Sequence, residues 1–288
     1  MPKCLIVYFS QSGSTAKVAE HIASGLKVAG YQVELHNLRN RCVPPDVEEI
    51  DLLGIGSPIY TFRLPFNVAD YLNALPPLNN LPVFSFNLYG SYCFDTGTQF
   101  RKMLAQKGAR DMGYFSCHGE DVVLGYLQEG YLFSPNHPTQ NELDEAQSFG
   151  KEVASRVAGN TASPSCRESS LPFIYRLERF LCNRWLVEHV MYRFFKVDKG
   201  RCDNCGLCVA VCPLGNISEV GENQLKWGDS CLMCFTCEMC CHAGAIRSLN
   251  DFAATKPFVR YNIRKACRDK SLDHLRVKYE NGHTERLG

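Results

Sequence analysis

"KCLIVYFSQSGSTAKVAEHIASGLKVAG", Lys3 to Gly30, decides the fold. It opens on a continuous apolar run that ends in polar turn residues, the pattern of a buried strand. Beyond the turn, Val18, Ile22, Leu26 and Ala29 recur at helical spacing, so the second half reads as an amphipathic helix. Strand, turn and helix together make one βα unit.

That unit repeats along the chain. "YQVELHNL" (31–38) reads as a second strand, "IDLLGIGS" (50–57) as a third and "PFNVADYLNAL" (65–75) as a helix. "LPVFSFNLY" (81–89) and "RDMGYFSCH" (110–118) read as strands four and five, with "GTQFRKMLAQKG" (97–108) as the helix between them. "NELDEAQSFGKEVASRVAG" (141–159) closes the series as a helix. Five strands alternating with helices predict an α/β fold with a doubly wound, five-stranded parallel sheet, whose ligands bind beyond the carboxyl ends of the strands. The connection 119–140 shows no regular pattern and reads as a cover over the ligand or over a seam between domains.

The first turn is "SQSGST", Ser10 to Thr15. Hydroxyls at Ser10, Ser12, Ser14 and Thr15 surround Gly13, which lets the backbone curl, at the N-terminus of the first helix. Helical N–H groups and the positive end of the dipole suit that volume to a phosphate monoester without any lysine. One cap needs only one hydroxyl, so simple capping leaves three of them unexplained. A nucleotide P-loop is excluded, because Gly-Lys-Ser/Thr is missing. A dinucleotide fingerprint is excluded as well, since Ile59 stands where "GIGSPI" would need its third glycine.

The composition sets the frame. The chain has 288 residues, 45% hydrophobic and 21% charged, enough for two compact units of ordinary globular character. "MPKCLIVYFS" carries no cleavage site and reads as a strand, not as a secretory signal. No apolar run approaches the roughly 18 residues of a membrane helix. A net charge of +1 points to neither nucleic acid nor an acidic membrane surface as a partner, although acidic blocks (1–150, 201–250) alternate with basic ones (151–200, 251–288). The expected location is cytoplasmic. Sixteen cysteines in such a chain argue for metal and against disulfides. Nine of them crowd between positions 202 and 241.

"SQSGST" resembles the phosphate loop of the flavodoxins, and "GSPIY" (Gly56 to Tyr60) resembles the flavodoxin loop that lays an aromatic against the flavin. The third flavin loop of that family would fall at "NLYGSYC", Asn87 to Cys93. The resemblance implies flavin mononucleotide (FMN), its phosphate held by Ser10, Ser12, Gly13, Ser14 and Thr15. It places the ring between Ser57, Pro58, Ile59 and Tyr60 on one side and Asn87, Leu88, Tyr89 and Gly90 on the other. Arg63 close to Tyr60 departs from the acidic surround of soluble flavodoxins.

The cysteine-rich part contains two matched blocks, "CDNCGLCVAVCP" from Cys202 and "CLMCFTCEMCCH" from Cys231. Both follow CxxCxxCxxxC when the second is read as Cys231, Cys234, Cys237 and Cys241, which leaves Cys240 spare to pack as a small apolar residue. Three thiolates at this spacing wrap one cubane and the fourth reaches the other cluster, as in two-cluster bacterial ferredoxins. The expectation is a small α+β domain with one [4Fe-4S] on Cys202, Cys205, Cys208 and Cys241, and a second on Cys231, Cys234, Cys237 and Cys212. Zinc knuckles are the competing reading, but an offset fourth cysteine, duplicated, fits zinc poorly. His242 stands where proline usually follows the fourth cysteine, as an exposed turn residue or as a donor to a cluster sulfur.

"GNTASPSCRESS" (159–170) reads as a linker, and "LPFIYRLERFLCNRWLVEHVMYRFFKV" (171–197) as a basic amphipathic helix. Two placements stand open for that helix, packed inside with its arginines toward the acidic first domain or laid on a membrane surface. The expected domains are 1–158 (FMN), 159–196 (linker and helix), 197–250 (clusters) and 251–288 (tail). Residues 1–158 and 197–250 together resemble the flavodoxin/ferredoxin fusion proteins.

A flavin carries one or two electrons and a cubane one, so the resemblance implies an oxidoreductase-type electron carrier that exchanges electrons with a redox protein or enzyme. The alternative is a flavin-dependent reductase of a small molecule, fed by the clusters and using His118, Tyr60 or Cys93 as its acid. A zinc-bearing binding module is the non-redox reading.

Overall fold

The computed structural model describes residues 1–39, 46–47, 49–161, 163–164, 168–221, 224–280 and 283–287. Cys42, Cys166 and part of the predicted linker lie outside them. The chain forms two compact units, 1–119 with 136–179 and 120–135 with 180–288.

The first unit begins with β1 (Lys3–Tyr8), α1 (Ser14–Val28), β2 (Gln32–Asn37), β3 (Leu52–Pro58), α2 (Phe66–Ala74), β4 (Pro82–Tyr89), α3 (Thr96–Gln106) and β5 (Arg110–His118). The chain then supplies α4 (Leu124–Gln128) and β6 (Tyr131–Phe133) to the second unit and returns as α5 (Gln140–Gly159) and α6 (Phe173–Leu181). All neighbouring strands are parallel, in the order β2-β1-β3-β4-β5. Chain order reverses between β1 and β3, so the crevice at their carboxyl ends is the switch point where such sheets bind ligands. The continuous apolar runs are explained by burial on both faces: Leu5, Ile6, Val7, Leu52, Leu53, Ile55, Phe84 and Phe86 are all buried. Gly56 is required by close packing, because a Cβ there would fall 2.0 Å from the Phe86 ring.

α1 packs on α5 through two facing glycines. A Cβ on Gly25 would sit 2.0 Å from the Gln147 carbonyl oxygen, and one on Gly150 2.3 Å from that of Ile22. α5 starts at a capping box: the Thr139 hydroxyl accepts from Glu142 N, and the Glu142 carboxylate accepts from Thr139 N.

The second unit continues with α7 (Arg184–His189), β7 (Lys196–Val197), α8 (Leu207–Val211), β8 (Ile217–Gly221), β9 (Gln224–Trp227), α9 (Thr236–Met239), β10 (Ile246–Arg247), α10 (Lys256–Ala266), β11 (His274–Glu280) and β12 (His283–Arg286). Its two-stranded antiparallel sheets, β7 with β10 and β8 with β9, enclose Phe195, Ile217, Trp227, Cys237 and Ile246.

Two expectations are corrected. The connection 119–140 is not irregular, since it holds α4 and β6, and β6 pairs antiparallel with β11 from the end of the chain. Burial of Leu132 and Phe133 drives that pairing, and a three-residue strand is too short to show periodicity. The tail, 251–288, supplies α10 and the β11–β12 hairpin. Finally, 171–197 is not one helix. It breaks at Asn183, whose side chain caps α7 by accepting from Leu186 N at 3.0 Å. α6 is also inverted relative to the inward-packed reading: Phe173 is 81% and Phe180 67% exposed, while Tyr175 is buried.

Candidate functional site

The first candidate site lies at the carboxyl ends of β1, β3, β4 and β5. Gly13 is the N-cap of α1 at φ 97°, a left-handed conformation that glycine adopts without strain. It supplies no capping side chain. Ser10, 2% exposed, turns its hydroxyl inward to accept from Gly13 N at 3.1 Å and Ala16 N at 3.3 Å. Ser10 therefore shapes the loop, while the N–H groups of Ser14 and Thr15 have no partner among the described residues. Ser12 is exposed, Ser14 half-buried and Thr15 buried. A tight turn with open helical N–H donors is a fitting cradle for a phosphate.

The second loop leaves β3 through Ser57, Pro58, Ile59 and Tyr60. Ile59 N donates to Leu88 O at 2.8 Å, which ties it to the third loop. Tyr60 and Arg63 close a turn with reciprocal backbone bonds of 2.9 and 3.1 Å, and both residues between them, Thr61 and Phe62, have left-handed φ of 50° and 58°. The Tyr60 hydroxyl bonds the Gln11 side chain beside the first loop. Asn87 is fully buried at the end of β4; its amide donates to Ser57 O at 3.1 Å, while Oδ1 has no partner among the described residues. A buried acceptor left open between the second and third loops fits a ligand that brings a donor there. Leu88 is buried, Tyr89 and Gly90 half-buried.

The Tyr89 ring packs 4.4 Å from that of His118, whose Nδ1 bonds Gly90 O at 2.8 Å. Burial, with the Cys93 and Cys117 thiols and the Glu142 carboxylate adding to it, pushes the Tyr89 phenol up to about 12, so it stays neutral. One group here escaped the sequence reading. The Glu142 carboxylate accepts from His118 N (3.1 Å), Thr139 N (2.6 Å) and the Thr139 hydroxyl (2.9 Å), and pairs with His137 Nδ1 at 2.8 Å. Burial alone would raise its pKa, but the Thr139 and His137 hydrogen bonds outweigh burial and lower it. The T-x-x-E signature at Thr139 was the available signal.

The second candidate site is a pair of cavities in the other unit. One is lined by Cys212, Cys231, Cys234 and Cys237, together with Phe195, Pro213 and Trp227. The other is lined by Cys202, Cys205, Cys208 and Cys241. Each thus brings together three cysteines of one block and the last cysteine of the other. The two blocks share their local backbone. Asn204 and Met233 have φ of 58° and 53°, and Gly206 and Phe235 have φ of 69° and 56° and start α8 and α9. Asn216 N donates to Cys212 Sγ at 3.2 Å, and Ala245 N to Cys241 Sγ at 3.3 Å. Met233 N reaches Cys231 Sγ at 3.4 Å, and the Thr236 hydroxyl reaches Cys234 Sγ at 3.4 Å. Donors already aimed at sulfur favour thiolates.

Burial pushes the Cys208 thiol up to about 11, with Cys241 and Cys205 contributing. It pushes Cys231 up to about 12, with Cys234 and Cys212 contributing. Thiols that repel ionisation in this way are deprotonated on binding a cation. Cys240 lines neither cavity as described and caps α9. His242 is exposed and pairs through Nε2 with Asp203 at 2.7 Å.

No curated protein matches the chain. Solved structures similar to it include a flavodoxin from the domain Archaea, at 18% identity over 54% of this chain and 99% of that one, TM-score 0.44. The two-electron reduced Megasphaera elsdenii flavodoxin is 21% identical over 53% and 98%, TM-score 0.42. The rubredoxin oxygen:oxidoreductase of the anaerobe Desulfovibrio gigas is 18% identical over 55% of this chain but only 36% of its own, TM-score 0.44. Residues 5–123 match the model of the flavodoxin domain family and residues 195–218 that of the 4Fe-4S binding domain family. With a five-stranded parallel sheet in the first unit and cysteine-lined cavities in the second, the chain is a flavodoxin-like domain followed by a 4Fe-4S domain, the arrangement of a flavodoxin/ferredoxin fusion and of an electron-transfer redox protein.

Proposed function

We propose that this chain passes electrons between a bound FMN, two [4Fe-4S] clusters and an external redox partner. The observation that carries this reading is the crossed lining of the two cavities, four cysteines to each. In chemical terms the flavin handles one or two electrons and each cluster one, so the pairing converts two-electron into one-electron traffic. Cys202, Cys205, Cys208 and Cys241 would ligate one cluster, and Cys212, Cys231, Cys234 and Cys237 the other. The hydrogen bonds on Cys212, Cys231, Cys234 and Cys241 stabilise the charged sulfurs and raise the potential of whatever they bind.

In the first unit, Ser14 and Thr15 would present N–H donors to the phosphate and Ser12 its hydroxyl, with Gly13 providing the turn that brings them together. Ser10 holds the loop in shape from below. Ser57 to Tyr60 and Asn87 to Gly90 would flank the ring, with the open Asn87 Oδ1 accepting from it. The likeness of residues 5–123 to the flavodoxin domain supports FMN as the occupant.

Anaerobic purification with iron, sulfide and flavin counts tests the reading. About eight iron atoms and one FMN per chain are expected, and Cys212→Ser lowers the iron without lowering the flavin. Stopped-flow absorbance then shows flavin and clusters equilibrating after reduction by dithionite. Stoichiometric zinc, or flavin and clusters that never exchange electrons, would overturn the proposal. Turnover with quinones, disulfides or enones would shift it to the small-molecule reductase reading.

A further inference from the structure

The segment 168–179 lies beyond the stretch that matches the flavodoxin domain model, yet it fastens the two loops assigned above to the flavin ring. Tyr175, 2% exposed, is the inward-facing residue of α6. Its ring lies 4.6 Å from Phe62 of the second loop and 5.5 Å from Phe94 at the end of the third. Phe62 and Phe94 are 5.4 Å apart, and Tyr92 stacks on Phe94 at 5.3 Å. Around this nest, polar contacts repeat the pattern. The Arg63 guanidinium donates to Arg179 O, Arg179 pairs with Asp95, and the Glu168 carboxylate accepts from Gly97 N at 3.0 Å and Thr98 N at 2.5 Å, at the start of α3. Asp95 is the N-cap residue of α3 but does not cap it; its carboxylate is given to Arg179.

We propose that residues 168–179 are a strap that holds the second and third loops in their ring-binding conformation, with Tyr175 as the positioning residue. The backbone supplies the reason a strap is needed. Thr61, Phe62 and Phe94 all sit at left-handed φ of 50°, 58° and 44°, and residues other than glycine keep such conformations only where packing over-determines them. Phe62 and Phe94 both pack against the Tyr175 ring.

The inference rests on the FMN reading, and the test separates the two. FMN and riboflavin, which lacks the phosphate, are titrated into the deflavinated full chain while the visible flavin spectrum and the cluster absorbance are followed. Tyr175→Ala is expected to weaken both flavins by the same factor, about tenfold, or about 1.4 kcal/mol, and to alter the bound-flavin spectrum with cluster absorbance unchanged. Tyr175→Phe, which keeps the ring, restores both. Gly13→Ala in the phosphate loop weakens FMN and leaves riboflavin unchanged.

If Tyr175→Ala does not fold, Arg179→Gln carries the test, with a smaller loss equal for the two flavins. Wild-type affinity for both flavins in the folded variant, or a loss confined to FMN, overturns the strap. Failure of the wild-type chain to bind either flavin overturns the FMN reading itself.

Discussion

Gly25→Ala sets two physical effects against each other, and the structure decides between them. In the middle of a helix, alanine is favoured over glycine by about 0.8–1.0 kcal/mol. At Gly25 the added methyl would lie 2.0 Å from the Gln147 carbonyl oxygen, with Gln147 C at 3.0 Å and Lys151 N at 3.1 Å. All three are backbone atoms, so no side chain can swing aside and α1 must move off α5. A gap of about 0.5–1 Å forfeits a quarter to a half of each dispersion contact across the interface. Ile22, Leu26, Phe149 and Val153 are among the residues that lose contacts. Overpacking of this kind costs about 1–3 kcal/mol, and a rigid backbone oxygen places it at the upper end. After the propensity gain, a net loss of about 2 kcal/mol remains. For a unit of this size that lowers Tm by about 4–8 °C. Thermal unfolding of the full chain followed by far-ultraviolet circular dichroism measures it. A Gly25→Ala protein that melts at or above the wild-type temperature would refute the close approach of α1 and α5.

Two further changes test other parts of the structure. The Glu142 carboxyl is held below its ordinary value, so its contribution is fully present above the unfolded pKa of about 4.3 and is lost as pH falls through the lower folded value. Glu142→Gln should therefore cost about 1–3 kcal/mol at pH 7, a difference that shrinks as pH falls through the folded value; equal melting of the two proteins at pH 7 contradicts the hydrogen-bond network drawn around it. Cys240→Ala should leave the iron count unchanged while Cys241→Ser lowers it. Reversal of that order in an iron assay would reassign the spare thiol.

The sheet was legible because β1, β3 and β4 are buried on both faces and their apolar runs are uninterrupted. The grouping of the cysteines around two cavities follows their spacing along the chain, a covalent constraint that no tertiary packing rewrites. β6 was not legible, for its three residues acquire meaning only from β11, far along the chain. α6 misled for a different reason. Its apolar residues do fall at helical spacing, but the buried anchor is Tyr175 and the paired group is Arg179, while Phe173, Leu177 and Phe180 face out. Periodicity reports a stripe without reporting which side of it meets the core. The role of Glu142 was half legible: its sequence motif marks a helix start, but nothing local reveals that His118 and His137 converge on it.

The excursion of residues 120–135 out of the first unit bears on how the protein can be made and cut. During synthesis Leu132 and Phe133 leave the ribosome long before His274–Arg276, the residues that cover them, and stay sticky in the interval. A fragment ended after α5 would carry the same orphaned edge permanently. Soluble half-proteins should therefore be obtained by replacing 120–135 with a short polar loop, and not by simple truncation.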